Sequence, residues 1–224
     1  MKRIFALILV LIMSVSLMGC GEEHKEIQIS DGEKHKEIQI SDKFPVAKAP
    51  VKTVYEAGKI EGNVYEGSFG IKFEKPENWE YLTDEEIKMI PTQEGVHYDL
   101  GCQNAESGSN VFVMYEDLIA VAGNTTISEE QYINVITQGL AGNGFWITDS
   151  GKANIGGKEY QYVTAMIDNS DSPEVEESEV ISVEQSSYIR KEGEVMISVI
   201  AMAFNDDNTE DIMKNFEGYE MLEQ

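Results

Sequence analysis

The residues of this chain best suited to chemistry are few and scattered. Two cysteines and three histidines are set among 41 acidic residues. Cys102 lies in Tyr98-Asp99-Leu100-Gly101-Cys102, where apolar and polar types alternate, five residues beyond His97. A thiol becomes a nucleophile when a neighbouring base or cation holds it as thiolate. On an extended strand, however, five residues span about 16 Å and an odd offset points the two side chains to opposite faces. That geometry rules out a local dyad unless the chain turns between them, and the default for Cys102 is a buried thiol serving as a small hydrophobe. His97 is the sole histidine outside an N-terminal repeat, so a Ser-His-Asp hydrolase would have to rest on it alone. No nucleophile elbow, phosphate loop, zinc-protease helix or Cys-x-x-Cys accompanies it.

Carboxylates are abundant, and their densest run is Asp168-Asn169-Ser170-Asp171-Ser172-Pro173-Glu174-Val175-Glu176-Glu177. Hard cations take several oxygen ligands, which makes Asp168, Asp171, Glu174, Glu176 and Glu177 the calcium candidates. Their spacing does not follow an EF-hand loop, and the run reads as a solvated acidic connection. His24 and His35 lack the Cys or further His that would complete a zinc site. Neither a metal nor a cofactor is expected. Glycoside hydrolysis needs two acids flanking the scissile bond, and the abundance of acids prevents choosing a pair.

The chain begins with a basic Lys2-Arg3 and an apolar run from Ile4 to about Leu17, broken by Ser14 and Ser16. A membrane-spanning helix needs about 20 apolar residues, so this is a signal-peptide layout. Leu17-Met18-Gly19-Cys20 closes it and resembles the lipobox of bacterial lipoproteins. The resemblance implies cleavage between Gly19 and Cys20, a diacylglyceryl group on the Cys20 thiol, and a mature chain anchored by lipid to the cell membrane on its extracytoplasmic side. More than one acyl chain matters, because each buried methylene contributes about 0.8 kcal/mol and a single chain binds reversibly. With Cys20 acylated, Cys102 has no intramolecular partner, and stability must come from core burial.

The formal net charge is −24, and loss of Lys2 and Arg3 deepens it by two. Such a surface repels nucleic acid and favours solubility beside a charged envelope. The expected partners are the membrane, through the anchor, and an envelope protein or small ligand.

Three segments follow from composition: signal peptide 1–19, lipidated Cys20 with a tether over 20–62, and a globular domain over 63–224. The tether holds a tandem repeat, His24-Lys25-Glu26-Ile27-Gln28-Ile29-Ser30-Asp31 recurring as His35 to Asp42. Its Asp31-Gly32 would suit a hairpin turn, but an isolated two-stranded hairpin is marginal in water, and the segment reads as a linker.

Within 63–224, Tyr65 to Phe73 reads as a first strand and Glu77-Asn78-Trp79 as a turn delivering Trp79 to the core. Thr83-Asp84-Glu85-Glu86 and Ser128-Glu129-Glu130-Gln131 are capping boxes that start helices, the first stopped by Pro91 and the second by Gly142 and Gly144. Tyr98 to Gln103, Val111 to Asp117, Phe145 to Ser150, Lys158 to Ile167, Val180 to Arg190 and Val195 to Phe204 read as strands. The last is apolar on both faces and belongs in the centre of a sheet. A closing helix over about Thr209 to Phe216 turns Ile212, Met213 and Phe216 inward. The order predicts an α+β fold, an antiparallel β-sheet with helices packed on its faces.

Gly67-Ser68-Phe69-Gly70-Ile71-Lys72-Phe73 running into Pro76-Glu77-Asn78-Trp79, with the acidic capped helix that follows, resembles the PsbP/Mog1-like superfamily, many of whose bacterial members are lipoproteins. The resemblance implies an α/β/α sandwich and a non-enzymatic binding or assembly module, with no catalytic residue carried over. A surface hydrolase acting on a cell-wall or glycan polymer through a carboxylate pair is the alternative reading.

Overall fold

Val195–Phe204 carries no charge and a single hydroxyl, Ser198, so a strand made from it needs cover on both faces. The computed structural model, which describes residues 55–123, 127–170 and 180–222, places it inside an eight-stranded antiparallel sheet. In chain order the strands are β1 (Lys59–Glu61), β2 (Val64–Glu66), β3 (Lys72–Glu74), β4 (Trp79–Tyr81), β5 (Val96–Asn104), β6 (Asn110–Asp117), β7 (Trp146–Ile155), β8 (Lys158–Asp168), β9 (Ser182–Glu192), β10 (Val195–Phe204) and β11 (Glu220–Leu222). The helices are α1 (Asp84–Lys88), α2 (Leu118–Ala122), α3 (Glu129–Gly142) and α4 (Thr209–Met213). The large sheet runs β11-β7-β8-β9-β10-β6-β5-β4, and β1-β2-β3 form a second, three-stranded sheet. The fold is α+β.

Alternation along β10 assigns its two faces. Val195, Ile197, Val199, Ala201 and Ala203 pack with Tyr65, Ile71 and Phe73 of the small sheet and with Ile212, Met213 and Phe216 around α4. Ile200 and Met202 face the other way, onto Leu82, Ile90, Val96, Phe112 and Met114 beside α1. Met196 lies with Leu118 and with Tyr132 of α3. Each large aliphatic side chain fully buried here contributes about 1.5–3 kcal/mol, so β10 binds both outer layers to one sheet.

Both capping boxes form, Thr83 with Glu86 and Ser128 with Gln131. Each satisfies two amides at a helix start and sets where the helix leaves the sheet. Tyr132 and Leu140 of α3 are buried, as the three-and-four spacing requires.

Several features depart from the sequence expectation. The stretch 65–73 is broken by a 3-10 turn at Ser68–Gly70, where Phe69 (φ 64°) and Gly70 (φ 80°) reverse the chain; Tyr65, Ile71 and Phe73 all still point into the core. One face of the large sheet is covered by the small sheet as well as by a helix. Leu118–Ala122 is helical because the Asp117 carboxylate accepts from the amides of Ile119 and Ala120. Upstream of Asn63, β1 pairs with β2 and Tyr55 packs on the core. Residues 1–54, which include the expected signal segment, Gly19, Cys20 and the repeat, lie outside the described residues. Among the described residues no helix is long and apolar enough to cross a membrane.

Glu116 of β6 is 3 % exposed beneath α3, and its carboxyl accepts from the Tyr132 hydroxyl. Burial, outweighing that hydrogen bond, pushes its pKa above the ordinary glutamate range. The folded state therefore holds a proton that the unfolded chain has released. Stability from this group is fully present below the unfolded pKa and is lost as pH rises through the raised one. Glu116→Gln is expected to flatten that fall. Urea unfolding between pH 4.5 and about 8 checks it: a wild-type slope retained in the variant contradicts the assignment.

Candidate functional site

Strand alternation divides the small sheet into an inner and an outer side. Tyr65, Phe73 and Phe216 face inward and are buried. Residues 215–217 extend the sheet alongside β3: the Glu74 amide donates to the Asn215 carbonyl (2.9 Å), the Glu217 amide donates to the Lys72 carbonyl (3.0 Å), and Phe73 bridges Phe216. Val64, Glu66, Lys72, Glu74, Asn215 and Glu217 are left on the outer side. Two concavities lie along it. One, of about 680 Å3, runs from Asn63 and Lys75 to Lys214; the other, of about 500 Å3, is walled by Gly67, Gly70, Gly156, Gly157 and Gly218. They share Lys72 and Glu217 and so form one groove.

The middle of the groove is an ion-paired cluster. Lys72 Nζ lies 3.0 Å from Glu66 and 3.8 Å from Glu217. Its pKa is raised, chiefly by the hydrogen bond to Glu66. At one end, the Asn63 amide donates to Glu74 (3.0 Å), and Lys214 pairs with Asp211 (2.9 Å) and Glu210 (3.2 Å). Lys75 is held by backbone oxygens, donating to the carbonyls of Trp79 (2.7 Å) and Pro76 (3.4 Å) beside the Tyr81 ring. The other end exposes main chain. Gly156 has φ 59°, and a Cβ there would fall 2.2 Å from the Gly70 carbonyl oxygen, so a side chain at this position would push the two walls apart.

Such walls, with ammonium groups, carboxylates, amides and bare backbone, suit a polar ligand that both donates and accepts hydrogen bonds. Glu66 and Glu217 do approach each other through Lys72. Yet an ammonium occupies the space between them, and their side chains are 66 % and 69 % exposed. A glycosidase pair needs that space for the scissile bond and its water.

Cys102 is fully buried in β5, and burial pushes its thiol up to about 12. His97 does not reach it, though for a reason that the spacing alone misses. A β-bulge at Asp99 shifts the register, so His97 pairs with Tyr115 and Cys102 with Val111. The two side chains therefore share a face, still four residues apart along β6, or about 13 Å. The expectation of opposite faces is corrected, and the exclusion of a dyad stands on distance. Of the calcium candidates, Asp168 is partly exposed and accepts from the Ser170 amide (3.0 Å) and hydroxyl (2.6 Å), which lowers its pKa. Asp171, Glu174, Glu176 and Glu177 lie outside the described residues. Among the described residues no three His, Cys, Asp or Glu side chains are grouped to hold a metal ion.

The groove lysines carry no motif. Their one sequence signal is outward position: Lys72 sits between inward Ile71 and Phe73. Joining them to 214–218 requires tertiary structure.

No protein-family model and no curated protein sequence matches the chain. Among solved structures, a protein from Bacteroides thetaiotaomicron VPI-5482 is similar over 69 % of this chain, at 13 % identity and a TM-score of 0.37; this chain spans 46 % of that one. LpqN, involved in cell envelope biogenesis of Mycobacterium tuberculosis, is similar over 65 % of this chain and 76 % of its own, at 15 % identity and a TM-score of 0.37.

A thiol this deeply buried and this weakly acidic is inert. Ellman's reagent at pH 8 is expected to leave Cys102 unmodified in the native protein and to titrate it after denaturation. Rapid modification of the folded protein contradicts the assignment.

Proposed function

We propose that this chain is a lipid-anchored, extracytoplasmic binding or assembly module that engages an envelope partner through the groove on the small sheet. The observation that carries the reading is the groove itself, two joined concavities lined by ion-paired side chains and bare backbone, with volumes in the range of ligand sites. Its mixed charges suit an extended, polar chain lying along it. The lipobox-like Leu17-Met18-Gly19-Cys20 supports anchoring through Cys20, with 1–19 removed and the segment that follows Cys20 serving as the tether. The layered α+β arrangement with a capped acidic helix is compatible with a PsbP/Mog1-like module, in which binding rather than turnover is the role. The net charge of −24 disfavours nucleic acid and favours neutral, cationic or zwitterionic partners.

The test is photo-cross-linking in intact cells, with a photoreactive amino acid at Lys75 in the groove or at Met89, which is 66 % exposed beside α1 on the opposite face. The expected result is a discrete adduct from position 75 and none from 89, lost when Cys20→Ser removes the acylation site. Adducts from 89 alone, or an unchanged adduct in unacylated Cys20→Ser protein, contradict the reading.

A further inference from the structure

Where the chain enters the fold, one side chain gathers most of the hydrogen bonds that hold its first described residues. Asp99, thrust out of register by the bulge in β5, accepts from the Tyr55 hydroxyl (2.5 Å) and from the Gly58 amide (2.9 and 3.1 Å). It also accepts from the Tyr65 hydroxyl (2.5 Å) beneath them. The Tyr55 ring stacks on His97, with centroids 5.6 Å apart, and tilts against Tyr115 at 4.7 Å. The Ser68 hydroxyl donates to the Glu56 carbonyl (2.6 Å). Burial in the first place, then Asp99, lifts the Tyr55 hydroxyl well above the usual tyrosine range. It therefore remains a donor at any pH the envelope meets.

The rest of the segment is lightly held. All three residues of β1 are exposed, Ile60 at 48 %, and among the described strands β1 pairs only with β2. Segments with few buried apolar contacts and exposed hydrogen bonds open at free energies well below that of global unfolding. Fit also depends on one position: a Cβ on Gly58 would lie 2.4 Å from the Tyr65 ring and 2.8 Å from Asp99 Oδ2.

We infer that residues 55–61 form a releasable strap latched by the Asp99 carboxylate. Release would free about seven residues, adding about 24 Å of reach at about 3.4 Å per residue. It would also bare the outer edge of β2 and the Tyr65–Tyr115 surface beneath. Tension on the N-terminal side of the chain acts first on this latch, because the β-strands that follow are held by the core.

Amide hydrogen exchange on the full-length protein, wild type against Asp99→Asn, tests the strap. A neutral amide weakens every charge-assisted bond to the latch while keeping its shape. Amides 58–61 are expected to exchange faster by roughly tenfold or more, the scale set by losing a hydrogen bond to a charged group, while β9 and β10 keep wild-type protection. Tyr55→Phe, which removes one donor alone, should move the same amides by a smaller factor. An equal rise across β5, β6 and β10 would show that the segment belongs to the global cooperative unit, and unchanged exchange at 58–61 would show that Asp99 is no latch. Either result overturns the inference.

Discussion

The molecule is organised by the need to cover β10 twice. Nine of its ten residues are buried, and nearly all offer a neighbour nothing but hydrocarbon. A sheet with one wet face would leave half of that strand in water, at about 25 cal/mol for each Å2 exposed. Two layers are therefore obligatory. Helices α1, α2 and α3 make one, and the small sheet with α4 makes the other. The groove exists because the second layer is mainly a sheet: its inner residues are consumed by the core, and its outer residues are left to form a polar surface.

The same division explains what was legible in the sequence. β10 was readable because it needs no partner to be recognised, and the helix starts were readable because a capping box is local chemistry. Cys102 was readable as core from alternation alone. The break at Ser68–Gly70 was not, since Tyr65, Ile71 and Phe73 keep their inward parity across it. What stabilises the turn lies far along the chain, where Arg190 donates to the Phe69 carbonyl (3.1 Å) and Tyr115 to that of Ser68 (3.3 Å). The bulge at Asp99 was likewise invisible, and it inverted the predicted relation of His97 to Cys102. β11 is three residues long and gains its strand character only by pairing with β7. Most of the fold was written in local pattern. Most of the groove was not, because Lys72, Lys75, Lys214 and the facing glycines meet only when 215–217 aligns with β3.

Polar chemistry in this domain is placed at the seams between layers. Asp99 joins the first described residues to the large sheet, and Glu184 accepts from the amide and hydroxyl of Thr209 at the start of α4. Glu116 meets Tyr132 under α3. Each gives directional registry where packing alone would permit sliding. The groove lies outside these seams, on an exposed surface where Lys72 and Lys214 are ion-paired and Lys75 is held by backbone carbonyls.

The proposed working face is the outer side of the small sheet. The most direct measurement is hydrogen exchange on the full-length protein in its native membranes, compared with the same protein solubilised and purified in detergent. Added protection is expected in the membranes at 63–77 and 214–218, with α1 and α3 unchanged. Protection confined to the helical face, or no difference at the groove, would contradict it.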